Sequence, residues 1–454
     1  MKKNSKKNII VIISDTLRKD HLGCYGNKKI YTPNIDTFSS KSTIFENFYS
    51  ASFPTMPARA DLYTGKLTLT YIGWNPMPVG EVILPVLLKN CGYTTAAVVD
   101  TPFYVRNGFN YDRGFDYFIE NYGQSTGNDY AVYNRVYEKD YFAPKTFSTA
   151  AHWLEQHYDK SNPFFLLIDT WDPHEPWNPP RWYVKQYRNN YKGEVIEALY
   201  GKLDEGDIRW EEVEIAHDCY SGEISMVDTW FGYLMEKLKI MKLLEDTVVI
   251  FTTDHGFYFG EHQIFGKGIM EEPPMNRPDR SGWLRCPLYE EIINIPLLIY
   301  SPNERVKKVK ELISYIDLMP TILDLAEVEK PEFLHGDSFI DAIKGSSSFR
   351  GRDFVISSFP LYNPGAITKI VDAFARQVKE YLPSTITTPE WSLIYSAEEE
   401  VAELYNLKSD PKQEKNVISD YPDIANSLHK KYFNVLDSCN VDRILLEPRR
   451  RIKI

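Results

Sequence analysis

The chain has little of what a disulfide-stapled or membrane-embedded protein needs. Its 454 residues hold five cysteines, Cys24, Cys91, Cys219, Cys286 and Cys439. The number is odd, the spacings are wide and no Cys-x-x-Cys pair occurs, which argues against a disulfide framework and suits reduced thiols in a reducing compartment. Long apolar runs are missing too. After the basic start, Met1 to Lys7, the apolar stretch Ile9 to Ile13 stops at Ser14 and Asp15. That is too short for a signal-peptide core or a membrane span, so the expectation is a cytoplasmic protein with no membrane partner. Positive charge is also in deficit: 52 Lys and Arg stand against 63 Asp and Glu, a net charge of −11. A nucleic-acid partner would ask for clustered Lys and Arg, so none is expected. A small anion is not excluded, because a pocket can be positive inside an acidic protein. Neither internal repeats nor long low-complexity segments occur.

What is present is an ordinary globular composition, 43% hydrophobic and 25% charged,. The length exceeds a single core, so a large domain and a smaller one are expected. Aromatics make up 14%, with 31 Tyr. They serve packing first, with aromatic walls around an organic leaving group or a sugar as the alternative. The aromatic-rich stretch 104–142 is expected to shape the substrate pocket. Short apolar runs, rich in β-branched residues, recur at Asn8–Ile13, Ala96–Val99, Phe164–Ile168, Thr247–Thr252 and Pro296–Tyr300. Such runs suit strands buried on both faces, as in a parallel sheet. Between them, Val82–Asn90 before Gly92, Lys145–Tyr158 and Glu211–Lys239 space their apolar residues as helices do,. Alternating strands and helices predict an α/β fold with a central, mostly parallel sheet flanked by helices. Near Gly345-Ser346-Ser347-Ser348 the character changes, placing a large domain at 1–345 and a smaller one at 346–454,. Phe354–Ser357, Ala366–Asp372 and Trp391–Tyr395 read as strands of a small antiparallel sheet, with a helix from about Pro422 to Leu436 packed on it. Arg449-Arg450-Arg451 reads as a solvated tail.

Chemistry is expected at the carboxyl ends of the parallel strands. Asp15 follows the first strand; Asp169, Asp172 and His174 follow Phe164–Ile168; Asp254 and His255 follow Thr247–Thr252. Asp15 taken alone is as easily a helix cap or turn residue. Its context, Asp15-Thr16-Leu17-Arg18-Lys19-Asp20-His21-Leu22-Gly23-Cys24-Tyr25-Gly26 and then Thr32-Pro33-Asn34-Ile35-Asp36, resembles the opening of sulfatases, a branch of the alkaline phosphatase superfamily. Thr55-Met56-Pro57-Ala58-Arg59-Ala60-Asp61-Leu62-Tyr63-Thr64-Gly65 resembles the sulfatase signature, with Pro57, Arg59, Leu62, Thr64 and Gly65 in place. Physically, a nucleophile at a helix N-terminus meets free N–H groups and a favourable dipole, and Arg59 follows one turn later. Thr253-Asp254-His255-Gly256, Gly260-Glu261-His262 and Gly266-Lys267-Gly268 resemble the family's metal and anion segment. Asp172-Pro173-His174-Glu175-Pro176-Trp177 resembles its His-x-Pro stretch. Tyr220 to Asp228 and Glu403-Leu404-Tyr405-Asn406-Leu407 are similar to later family segments, so the likeness covers nearly the whole chain.

The resemblance implies an alkaline-phosphatase-like fold and a metal-dependent ester hydrolase. It implies Asp15, Thr55, Asp254 and His255 as metal ligands, Thr55 and Arg59 as catalytic, Lys267 as the anion-binding cation and His174 as general acid. His262 remains open between a substrate contact and a structural role. The oxygen-rich set with one imidazole suits Ca²⁺, Mg²⁺, Mn²⁺ or Zn²⁺, as one or two ions. Two departures bear on the substrate. Sulfatases carry Cys or Ser, oxidised to formylglycine, where Thr55 stands, and the methyl on the Thr β-carbon forbids that aldehyde. A cation beside Thr55 would still lower its hydroxyl pKa for direct attack. Sulfatases also carry a Lys and a His where Gly92-Tyr93-Thr94-Thr95 leads to Asp100 and Pro102. Asp100 is then a second-metal ligand, a substrate contact or a loop residue. The first expectation is a hydrolase of small phosphate or phosphonate esters acting through Thr55. The alternatives are a sulfuric ester hydrolase without formylglycine and a catalytically weak anion-binding protein. Homo-oligomerisation is left open.

Overall fold

The computed structural model describes residues 6–101, 109–121, 135–158, 161–196, 200–204, 206, 208–267, 287–361, 383–396 and 401–454. Cys286, Gly268 and the strand expected over Ala366–Asp372 lie outside the described residues, as do residues 104–108 and 122–134 of the aromatic-rich stretch 104–142.

The central sheet has eight strands: β1 (Asn8–Ser14), β2 (Thr43–Phe45), β3 (Thr94–Val99), β4 (Tyr117–Glu120), β5 (Phe164–Thr170), β6 (Thr247–Thr252), β7 (Leu297–Tyr300) and β8 (Lys307–Val309). Their order across the sheet is β8-β2-β7-β6-β1-β5-β3-β4. β6, β1, β5, β3 and β4 run parallel to one another. β7 runs antiparallel to both its neighbours. Its apolar run reads like the parallel ones because such a run reports burial on both faces, which is blind to strand direction.

The alternation along β1 shows the layering. Ile9, Val11 and Ile13 point into one core cluster and Ile10 and Ile12 into the other, on the opposite face of the sheet,. The first cluster receives α1 (Thr55–Thr64) through Met56, Ala58, Ala60 and Leu62, and α2 (Leu84–Asn90) through Leu84 and Leu88. The second receives α3 (Phe142–His157) and the long α4 (Trp210–Ile240) through Phe147, Leu154, Ile224 and Phe231. The three helices expected from sequence are thus α2, α3 and α4, with ends displaced by at most three residues.

A smaller antiparallel sheet follows: β9 (Val355–Ser358), β10 (Ser384–Thr387), β11 (Trp391–Tyr395) and β12 (Glu403–Asn406), in that order. On it packs α5 (Pro422–Ser438), with the Tyr432 hydroxyl 2.9 Å from Ser384 Oγ. The expected break at Gly345 coincides with the left-handed cap (φ 74°) of the short helix Ile340–Lys344. One core cluster continues across it, joining Ile13 and Met319 to Leu361, Ile386, Leu404 and Leu436. The small sheet also grips the segment that leads into α1. The Phe53 N–H donates to the Ser358 carbonyl (2.8 Å) and the Ser358 N–H to the Ala51 carbonyl (2.8 Å). Among the described residues, no helix is long and apolar enough to cross a membrane.

Candidate active site and metal cluster

Four adjacent strands end in acidic residues on one edge of the sheet. Asp15 follows β1, Asp169 lies in the last turn of β5, Asp100 follows β3, and Asp254 comes two residues after β6. In register, Ile13 and Val99 both lie opposite Asp169. Parallel pairing of neighbouring strands therefore draws residues far apart in sequence onto one ridge.

Asp15, Asp254 and His255 bring one ligand atom each to within 4.8 Å of one another, and all three are buried. Each is held by its own loop. The Thr16 N–H donates to Asp254 Oδ1 (3.1 Å) and the Thr16 hydroxyl to Asp15 Oδ1 (2.7 Å). His255 Nδ1 donates to the Gly256 carbonyl (3.0 Å), so Nε2 keeps its lone pair, and that atom accepts no hydrogen bond,. Gly256 is required there, since a β-carbon would lie 2.0 Å from the Glu291 carbonyl oxygen. Asp15 Oδ2 is likewise buried without a hydrogen bond, though it pairs with Arg59 Nη2 at 3.0 Å. Burial and the charge of Asp254 push Asp15 well up from the usual carboxylate range. Burial works the same way on Asp254, but Arg59 and His255 overcome it and hold that carboxyl down. Burial lowers His255 to about 4, leaving a neutral imidazole. Two carboxylates pressed together and a buried imidazole whose Nε2 accepts no hydrogen bond form a donor set that fits a divalent cation,.

Arg59 ties this cluster to α1. Its guanidinium spans Asp169 in a fork, Nε to Oδ2 at 3.1 Å and Nη2 to Oδ1 at 2.8 Å,. Nη1 meets both Asp254 Oδ2 and the Thr55 carbonyl, the latter at 3.3 Å. Thr55 is the first residue of α1, and the helix is buried along its whole length. Arg59 thus links Thr55 to the cation cluster through a single nitrogen. Asp169 carries the same strand-end signal as Asp15 and Asp254, but nothing in the sequence identifies it as the fork partner of Arg59. Thr101 supports it, donating to Asp169 Oδ1 at 3.1 Å.

Lys267 lies on the other side. Its ammonium is 2.6 Å from His174 Nε2 and 3.0 Å from Glu175 Oε1. It is close enough to the cluster to act electrostatically on Asp15 and His255. An ammonium only donates, so His174 Nε2 is the acceptor and Nδ1 carries the proton it gives to the Glu175 carbonyl at 2.6 Å,. Burial, reinforced by Lys267, lowers His174 to about 3. The imidazole stacks on Trp171, with ring centroids 3.7 Å apart. His174, expected as general acid, here accepts at Nε2 from the Lys267 ammonium. Glu175 was visible in sequence only as the neighbour of His174. Burial favours its neutral form, but His174 and Lys267 bring it down to about 2, and the Tyr200 hydroxyl donates to Oε1.

Two expected contacts fall elsewhere. Asp100 is fully buried and spends its carboxylate inward, accepting from Thr146 Oγ1 (2.8 Å), Thr170 Oγ1 (3.1 Å) and the Trp171 N–H (2.5 Å). It braces the loop that carries His174, and burial, with Asp172 close by, raises it to about 8. His262 stacks on Tyr289, centroids 3.7 Å apart, with Nε2 3.4 Å from Glu291 Oε2. It lines a separate cavity of about 790 Å³ with Arg18, Glu290 and Lys412. Neither geometry is that of a substrate contact at the cation cluster.

A family model described as Sulfatase matches residues 7–328. The chain belongs to the sulfatase family. A second, described as N-sulphoglucosamine sulphohydrolase, C-terminal, matches residues 282–437. The sulfatase YidJ of Escherichia coli (strain K12) is 25% identical over 95% of this chain and 87% of its own. An arylsulfatase of Clostridium perfringens is 24% identical over 91% of this chain and 90% of its own. The phosphonate monoester hydrolase of Agrobacterium radiobacter shares the fold at a TM-score of 0.75, with 20% identity over 97% of both chains. The protein is thus an ester hydrolase of alkaline-phosphatase-like fold. Enzymes of this sulfatase family generally use a divalent metal, and the cluster of Asp15, Asp254 and His255 is where one would be held.

Proposed function

We propose that this sulfatase-family enzyme is a metal-dependent hydrolase of small phosphate or phosphonate esters with Thr55 as nucleophile. The observation that carries the reading is the position of Thr55, at the N-terminus of buried α1, joined through Arg59 Nη1 to Asp254 of the cation cluster. Asp15, Asp254 and His255, with Thr55 beside them, would hold a divalent cation, which would supply charge neutralisation and lower the pKa of the hydroxyl,.

The residues then have distinct tasks. The Thr55 hydroxyl gives its proton to water and its oxygen attacks phosphorus, while the N–H groups at the start of α1 with the Arg59 guanidinium hold the equatorial oxygens. The bond to the leaving oxygen breaks, and that oxygen takes a proton from the Lys267 ammonium. His174, accepting from the same ammonium, fixes its direction. Water then cleaves the Thr55 ester and releases the phosphorus acid. A formylglycine hydrate expels its sulfate through a hydroxyl on the same carbon. The Thr55 β-carbon carries a methyl group instead, so turnover requires attack at the ester's central atom, as in phosphoryl-enzyme hydrolysis.

Sulfuric ester hydrolysis is the second reading, favoured by relatives named as sulfatases. Initial rates on matched nitrophenyl esters decide between them: phosphate monoester, phosphate diester, phosphonate monoester and sulfate. Dominant phosphorus-ester turnover, lost by a factor of about 1,000 or more in Thr55→Ala and abolished by EDTA, is expected. Dominant sulfate turnover, or a Thr55→Ala variant at full rate, would overturn it.

A further inference from the structure

Among the described residues, two side-chain cations serve the site, and both are already committed. Arg59 is bound by Asp169, Asp15 and Asp254. Lys267 is bound by Glu175, whose side chain is only 10% exposed. At the strand end where the sulfatase resemblance would place a further cation, Asp100 faces inward instead. Among the described residues, four carboxylates, Asp15, Asp169, Asp254 and Glu175, thus lie against these two cations. One divalent ion would bring this set to neutrality and leave no surplus for a doubly charged substrate.

Of the four carboxylates, only Glu175 stands apart from Arg59 and the cation cluster, touching Lys267, His174 and Tyr200. We propose that Glu175 is a specificity-determining residue: by neutralising Lys267 it tunes the site to esters bearing one negative charge, such as phosphate diesters and phosphonate monoesters, and against the phosphate monoester dianion. The proposal rests on the phosphorus-ester reading above and narrows it. Its physical basis is that a second unit charge a few ångströms from an uncompensated carboxylate is strongly disfavoured where water is scarce.

The test compares wild type, Glu175→Gln and Glu175→Asp at pH about 8, where a phosphate monoester is a dianion. Gln is isosteric and keeps an acceptor for Lys267 and Tyr200, whereas Asp keeps the charge. The readout is the ratio of kcat/KM for the nitrophenyl phosphate monoester to that for the methyl nitrophenyl diester. We expect Glu175→Gln to raise this ratio by on the order of tenfold and Glu175→Asp to leave it within about twofold of wild type. The same comparison is made in binding, from the affinities of inorganic phosphate and dimethyl phosphate, and circular dichroism verifies the fold. A ratio unmoved by Glu175→Gln in both turnover and binding would overturn the charge rule, as would a wild type that prefers the dianion. A Glu175-dependent binding ratio without phosphorus-ester turnover would sustain the charge rule and overturn the reading of the reaction instead.

Discussion

His174 sits where burial and a neighbouring ammonium both resist a second positive charge. Its pKa falls from 6.5 to about 3 on folding. A group whose pKa is depressed in the native state binds more protons when unfolded, so its contribution is full above about 6.5 and is lost as the pH falls toward about 3. Between about pH 7 and about pH 5 this one residue should cost about 2 kcal/mol of stability. Urea unfolding at the two pH values measures it. His174→Gln should flatten the difference by that amount, and an unchanged slope would mean that His174 is charged in the native protein. Asp15 and His255 show the same pressure at the cation cluster, where their pKa values are displaced in opposite directions by the same burial.

At the scale of elements, α1 depends on one carboxylate for its entry angle. Asp61 accepts from the Ser52 N–H (2.7 Å), Ser52 Oγ (2.9 Å), the Thr68 N–H (2.9 Å) and Thr68 Oγ1 (2.7 Å). It thereby stitches the strand before the helix to the turn after it. Asp61→Ala would leave the buried Ser52 and Thr68 N–H groups without this acceptor, at a cost of about 3 kcal/mol,. Because Ser52 lies three residues before Thr55, kcat should fall as well. A variant that unfolds at the wild-type urea midpoint would show that the network does not set the stability of α1. The sheet strands teach a different lesson. Their apolar runs identified β1, β3, β5, β6 and β7 as buried strands, yet nothing in those runs distinguishes β7, which pairs antiparallel with β2 and β6.

For the molecule as a whole, the smaller sheet supports the site from behind. Phe53 packs its ring between Phe359, with centroids 4.8 Å apart, and His255, at 4.9 Å. The Ser357 hydroxyl donates to the Ser50 carbonyl, and the Ser52 and Ser358 backbones form a parallel bridge. Residues 1–345 expressed alone would lose these partners and expose the shared core cluster. We expect that fragment to lack near-UV circular dichroism and to show no turnover, whereas a folded, active fragment would refute the dependence.

The sequence by itself determined the α/β character, the buried strands and the family, because apolar period and motif spacing are local properties. It also named the residues that the fold gathers: Asp15, Asp254 and His255 in the cluster, Arg59 linking it to Thr55, and Lys267 against His174. The tertiary structure alone decided the rest. The fork of Arg59 on Asp169, the inward turn of Asp100, the stacking of His262 on Tyr289 and the pairing of Lys267 with Glu175 all depend on contacts between distant segments. So does the protonation of His174, which is set by the surroundings that desolvate it. Spacing along a chain records which chemical groups are available. Which of them neutralise one another is fixed only when the strand ends meet.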